Sequence, residues 1–116
     1  MKRYVFLIAY EAGHFDRLTP AEQEPFFTAH QAFSDYVAAH GSELGSAALA
    51  DTDTATTVRH VDGATTISDG PFAETVEMIG GYYDAELPDM DHAIAAAALL
   101  PPSYSVEIRP TVIISR

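Results

Sequence analysis

Seven consecutive residues near the amino terminus, Tyr4-Val5-Phe6-Leu7-Ile8-Ala9-Tyr10, are aromatic, β-branched or otherwise apolar without a break. A strand with one wet face alternates; an uninterrupted run predicts a strand covered on both faces. Helices of the same chain can cover one of them. With 116 residues there is material for a single layered core and one domain, 1–116, so the other cover is expected from the sheet of a second copy. A central strand covered wholly within one chain is the alternative, and the length scarcely allows it.

The remaining elements follow from their punctuation. Thr19-Pro20-Ala21-Glu22 is a helix start, with a Thr N-cap, Pro at the first helical position and Glu at N3 completing a capping box. The helix is expected to run to about His40, with Gly41 as its C′ residue. Phe26, Phe33 and Val37 form one stripe along it, and His30 falls within that stripe. Glu43 to Ala50 reads as a second strand. Ala55–Val61 and Ala64–Ser68 flank Asp62-Gly63, the dipeptide suited to a two-residue hairpin turn. A helical turn is expected around Ala73 to Met78, then a strand from Ile79 to Leu87. Alternation there puts Tyr83 on the apolar face and Tyr82 on the polar one. Gly80-Gly81 within that strand lets a backbone or a ligand approach closely. Pro88-Asp89-Met90-Asp91 opens a second helix with acids at its positive end, and Pro101-Pro102 ends it. Val106 to Arg109 and Val112 to Ile114 supply closing strand, interrupted at Pro110. The order β-α-β, hairpin, β-α-β predicts an α+β sandwich with an antiparallel sheet and helices on one face.

Composition removes several function classes. A net charge of −11 with only six Lys and Arg argues against nucleic-acid binding, which needs clustered cations on phosphates. The absence of cysteine removes disulfides, thiol nucleophiles and Cys-ligated zinc. Lys2-Arg3 before the apolar run superficially suggests a signal peptide, but Glu11 interrupts the run and no small-residue cleavage site follows. No stretch is long enough to span a membrane, and the default location is the cytoplasm. Five histidines lie without HxH or HExxH spacing, and neither a Walker loop nor a GxGxxG in a strand-to-helix context is present. No metal site and no cofactor are expected.

Ser68-Asp69-Gly70-Pro71-Phe72-Ala73-Glu74-Thr75 combines acid, glycine, proline and aromatic in a rigid, tightly turned loop. Asp69-Gly70-Pro71-Phe72, then Glu74, then Gly80-Gly81-Tyr82-Tyr83 resembles the signature of the DGPF domain proteins, a branch of the YCII-related family. The resemblance extends from the first strand to Val106-Glu107-Ile108-Arg109-Pro110 and so covers nearly the whole chain. It implies a ferredoxin-like sandwich that dimerises into an α/β barrel, and it leaves the activity open.

Two residues stand out for chemistry. His30, on an otherwise apolar stripe, can serve as a general base or as a donor to an anion, or can simply be a core histidine satisfied by a carbonyl. Asp69 can orient an imidazole, or bond nearby amides as an Asx turn. In the YCII-related family a histidine on the first helix and an acid near the sheet are a suggested catalytic pair, which the resemblance carries onto His30 and Asp69. Gly70, Pro71, Phe72 and Tyr82 are the expected pocket lining. Tyr83, Glu74 and Asp84 are read as structural, with Glu74 capping the turn after Pro71 or pairing with Arg59 or Arg109. Three functions compete. The first is a small-molecule enzyme with His30 as acid/base; the second is a non-catalytic ligand-binding or regulatory module; the third is a dimeric structural protein with a vestigial pocket. Resemblance to domains found beside sigma factors suggests a regulatory protein partner for the second.

Overall fold

The computed structural model describes residues 1–115. Its main sheet has four strands in the order β2-β5-β1-β6, every neighbouring pair antiparallel: β1 (Lys2–Glu11), β2 (Ser42–Ala48), β5 (Glu77–Leu87) and β6 (Ser105–Pro110). Two helices, α1 (Pro20–His40) and α2 (Met90–Ala97), pack on one face of this sheet. β3 (Thr56–Val61) and β4 (Ala64–Asp69) pair with each other as a separate two-stranded sheet between β2 and β5 in the chain. The architecture is α+β and compatible with a ferredoxin-like fold.

Alternation along β1 explains where the core lies. Tyr4, Phe6 and Ile8 are buried under the helices with Tyr83, Ala85 and Leu87 of β5. Phe33 and Val37 from the inner stripe of α1, and Ala93 and Ala96 from α2, close this layer, with the Phe6 and Phe33 rings meeting edge to face at 5.2 Å. The small alanines of α2 let the short helix lie close to the sheet. The opposite face carries Val5, Leu7 and Ala9, half-buried by their own sheet neighbours, with Tyr82 beside Leu7. Arg3 of β1 donates through two nitrogens to Asp84 of β5, at 2.9 and 2.6 Å, near one end of this face.

The start of α1 has the expected form: Thr19 Oγ1 accepts from the Glu22 amide and Glu22 Oε1 accepts from the Thr19 amide, at 3.2 and 2.9 Å. Its end differs in cause. Gly41 is extended, with φ −169°, so no left-handed conformation demands a glycine there. A Cβ would instead overlap the Glu86 carbonyl of the adjoining β5. Asp62 (φ 50°) and Gly63 (φ 80°) make the tight turn of the β3–β4 hairpin.

Three expectations need correction. Residues 73–76 are irregular rather than a helical turn, and β5 begins at Glu77. Ala50 lies beyond β2, which ends at Ala48. Closing strand stops at Pro110; Val112, Ile113 and Ile114 are exposed and outside any strand. After the Thr111 amide bonds the Arg3 carbonyl at 3.0 Å, the chain leaves the sheet. Among the described residues, no helix is long and apolar enough to cross a membrane.

Candidate functional site

The inner stripe of α1 delivers His30 to the inner face of the sheet, and β5 delivers Tyr83 to meet it. His30 Nδ1 lies 2.6 Å from the Tyr83 hydroxyl, and Nε2 lies 3.0 Å from the hydroxyl of Tyr104, just before β6. A neutral imidazole carries one donor and one acceptor nitrogen. In either tautomer, therefore, one tyrosine donates to the ring and the other accepts from it. The accepting phenol keeps its own proton for another partner.

Aromatic rings build the walls. Tyr10 stacks on Tyr104 with centroids 5.2 Å apart, and Phe26 meets the edge of Tyr104 at 5.9 Å. Tyr10 reaches this position because β5 bulges: pairing jumps from Ile8–Gly81 to Ala9–Ile79 and leaves Gly80 as the extra residue. The Tyr10 ring fills the space where a Cβ of residue 80 would stand, and its hydroxyl donates to the Gly80 carbonyl at 3.3 Å. The close approach anticipated at the glycine pair is thus made by a side chain of the chain itself.

Burial sets the electrostatics. It pulls the His30 pKa below the usual histidine value. Burial, with Tyr10 and Tyr83 close by, pushes the Tyr104 phenol up to about 12. Burial first, then the Glu43 carboxylate, raises Tyr83; burial, then Asp51 and Asp16, raises Tyr10. At neutral pH the cluster is an uncharged imidazole among uncharged phenols. Its hydrogen bonds require no charge separation.

Two adjoining cavities open on this cluster. One of about 330 Å³ is bounded by His14, Phe15, Phe26, Phe27, His30 and Tyr104. The other, about 270 Å³, runs along the sheet past Ser46, Gly80 and Tyr83. A larger cavity, about 600 Å³, lies instead under the DGPF loop, lined by Pro71, Phe72, Leu49 and Met78. Its wall has no imidazole or phenol, although Asp51 and Glu77 contribute carboxylates. The two regions adjoin at Leu49 and Asp51.

The expected site residues are therefore distributed. His30 is at the aromatic cavity. Gly70 (φ 98°) turns the chain out of β4, its amide bonded to the Ala55 carbonyl at 2.7 Å. Pro71 and Phe72 wall the neighbouring cavity. Asp69 is exposed at the end of β4, paired in register with Thr56. The orientation of His30 by Asp69 is corrected here: both ring nitrogens already hold tyrosines, and Asp69 belongs to the hairpin rather than to the main sheet. Tyr82 is also corrected, because alternation turns it to the face opposite His30, where it is 37% exposed. Glu74 is exposed at the loop, while Arg59 donates to the Phe72 carbonyl at 3.2 Å and lies over the Phe72 ring. Tyr10, Tyr83 and Tyr104 are the site residues that the sequence reading missed.

Two helices on one face of an antiparallel sheet, with a helix histidine held by phenols from the sheet and the chain leading into β6, define an α+β protein with aromatic-lined space at that histidine. The chain belongs to the YCII-related family, whose family model matches residues 2–111. It is also similar to an uncharacterized protein of Rhizobium meliloti (strain 1021), 41% identical over 73 residues; that stretch spans 59% of this chain and 59% of the relative.

Proposed function

We propose that the aromatic cavity at His30 binds a small, flat molecule and that His30 exchanges a proton with it, making the protein a small-molecule enzyme of acid/base type. The observation that carries this reading is the imidazole held between two phenols at a cavity wall. The phenol that donates to the uncharged imidazole can pass its proton to the ring as it takes one from the ligand, leaving an imidazolium and a neutral phenol, and the phenol that accepts from the ring keeps its own proton for a ligand oxygen or nitrogen. The ring-lined walls favour an aromatic or otherwise planar substrate. Pro71 and Phe72, at the adjoining cavity, would contact the more distant part of a longer ligand.

The working form in this reading is a homodimer. Its support is the apolar strip of Val5, Leu7 and Ala9 on the uncovered sheet face. The hairpin points the same way: a two-stranded ribbon is marginal alone in water, and it presents Val58, Val61 and Ile67 to solvent.

A thermal-shift screen against small acids and aromatic metabolites tests the site. A ligand that binds only the folded state raises the melting temperature. The expected result is a compound that stabilises the wild type and leaves His30→Gln unmoved, and whose turnover is lost in the same variant. Stabilising compounds that act equally on both proteins would overturn the assignment.

A further inference from the structure

A second histidine cluster lies away from the aromatic cavity, where the end of α1 meets the start of α2. The His40 and His92 rings lie side by side, tilted by 52°, with centroids 5.3 Å apart, although they are far apart in the chain. His40 Nδ1 is 2.8 Å from the Tyr36 carbonyl oxygen, an atom that only accepts, so Nδ1 carries the proton. His92 Nδ1 is 2.6 Å from Asp89 Oδ1, a carboxylate oxygen that accepts, so this Nδ1 carries the proton as well. With Nδ1 engaged in both rings, Nε2 is the nitrogen that each leaves for a ligand.

We propose that His40 and His92 form a two-imidazole site for a divalent late transition metal of the zinc or copper type. Neutral imidazole nitrogen is the donor these ions take, and hard cations such as calcium and magnesium prefer oxygen. Two imidazoles bound tetrahedrally at a Zn–N distance of ~2.0 Å hold their centroids about 5 Å apart, which matches the separation seen. The partners of Nδ1, a carbonyl for one ring and a carboxylate for the other, are the kind that orient metal-binding histidines and raise their basicity. Stacking of Tyr36 on His40, centroids 4.1 Å apart, restrains that ring. No cluster of three or more His, Asp or Glu side chains suited to a metal occurs among the described residues, so solvent or a bound anion completes the coordination. A bound ion clips the two helices together.

Titration of the full chain with zinc chloride, followed by calorimetry and by imidazole nitrogen NMR, decides the matter. The expected result is one ion per chain, with Nε2 of His40 and His92 moving together and the melting temperature rising. His40→Gln and His92→Gln should each weaken binding at least tenfold. Asp89→Ser, which keeps a capping oxygen for α2 while removing the carboxylate, should weaken it about tenfold. His60→Gln, on the exposed hairpin, should change nothing. The proposal fails if millimolar zinc gives no response, if both glutamine variants keep wild-type affinity, or if His60→Gln loses as much as they do.

Discussion

His30 is set apart by burial and by two phenols that act on it together. Burial favours the neutral ring, so its pKa is lower in the folded state than in the unfolded chain. Below the unfolded value of about 6.5, the unfolded chain binds a proton that the folded one resists. His30 is thus fully compatible with folding above that pH and costs stability as the pH falls through it, down to the folded pKa. Melting curves from about pH 7.5 to about 5 test this: the wild type should lose more melting temperature than His30→Gln, whose side chain does not titrate. Equal losses would place the ring in solvent. At this scale the sequence was half legible. The 3.6-residue spacing put His30 on the inner stripe of α1, and the alternation of β5 put Tyr83 on the apolar face. Helices on one face of the sheet join those two surfaces, so Tyr83, and not the more polar-faced Tyr82, is the tyrosine that His30 meets. Tyr104 was less accessible, because it follows Pro101-Pro102 in irregular chain with no periodicity to assign its direction.

Among the elements, β5 does most to shape the cavity. Its extra residue, Gly80, permits the Tyr10 ring to lie across the strand and stack on Tyr104. Gly80→Ala should displace Tyr10, weakening ligand binding at least as clearly as it lowers stability. Gly41→Ala should act on stability, by about 1–3 kcal/mol, because the added methyl meets backbone of β5 that cannot swing aside. Urea unfolding of both variants, paired with binding of a screened ligand, separates the two effects. If Gly80→Ala binds as the wild type does, Tyr10 is not part of the site. Local rules read α1 well because Thr19, Pro20 and Glu22 act within one turn. They failed at residues 73–76, where the chain follows the DGPF turn into β5 and tertiary placement overrides helix propensity. They also extended the final strand too far: Val112 to Ile114 have strand-forming side chains, but no neighbouring strand of the same chain pairs with them.

The whole molecule is flat, 49 × 48 × 18 Å, with helices on one side of the main sheet and the hairpin extending from it. The chain covers one face of the uninterrupted apolar run of β1, and in the proposed homodimer a second copy covers the other. Light scattering at micromolar concentration should accordingly give twice the 12.5 kDa chain mass. The chain mass alone would contradict the dimer and leave Val5, Leu7 and Ala9 without a reason. The site in each chain stands apart from that question, since His30, Tyr83 and Tyr104 come from one chain. The most direct measurement of it is the long-range proton–nitrogen spectrum of the His30 imidazole at pH 7, with and without each compound that raises the melting temperature. A single neutral tautomer whose shifts move on ligand addition, while His60 stays still, is the predicted result. A ring that averages both tautomers and ignores every stabilising compound would contradict a proton-exchanging site at His30.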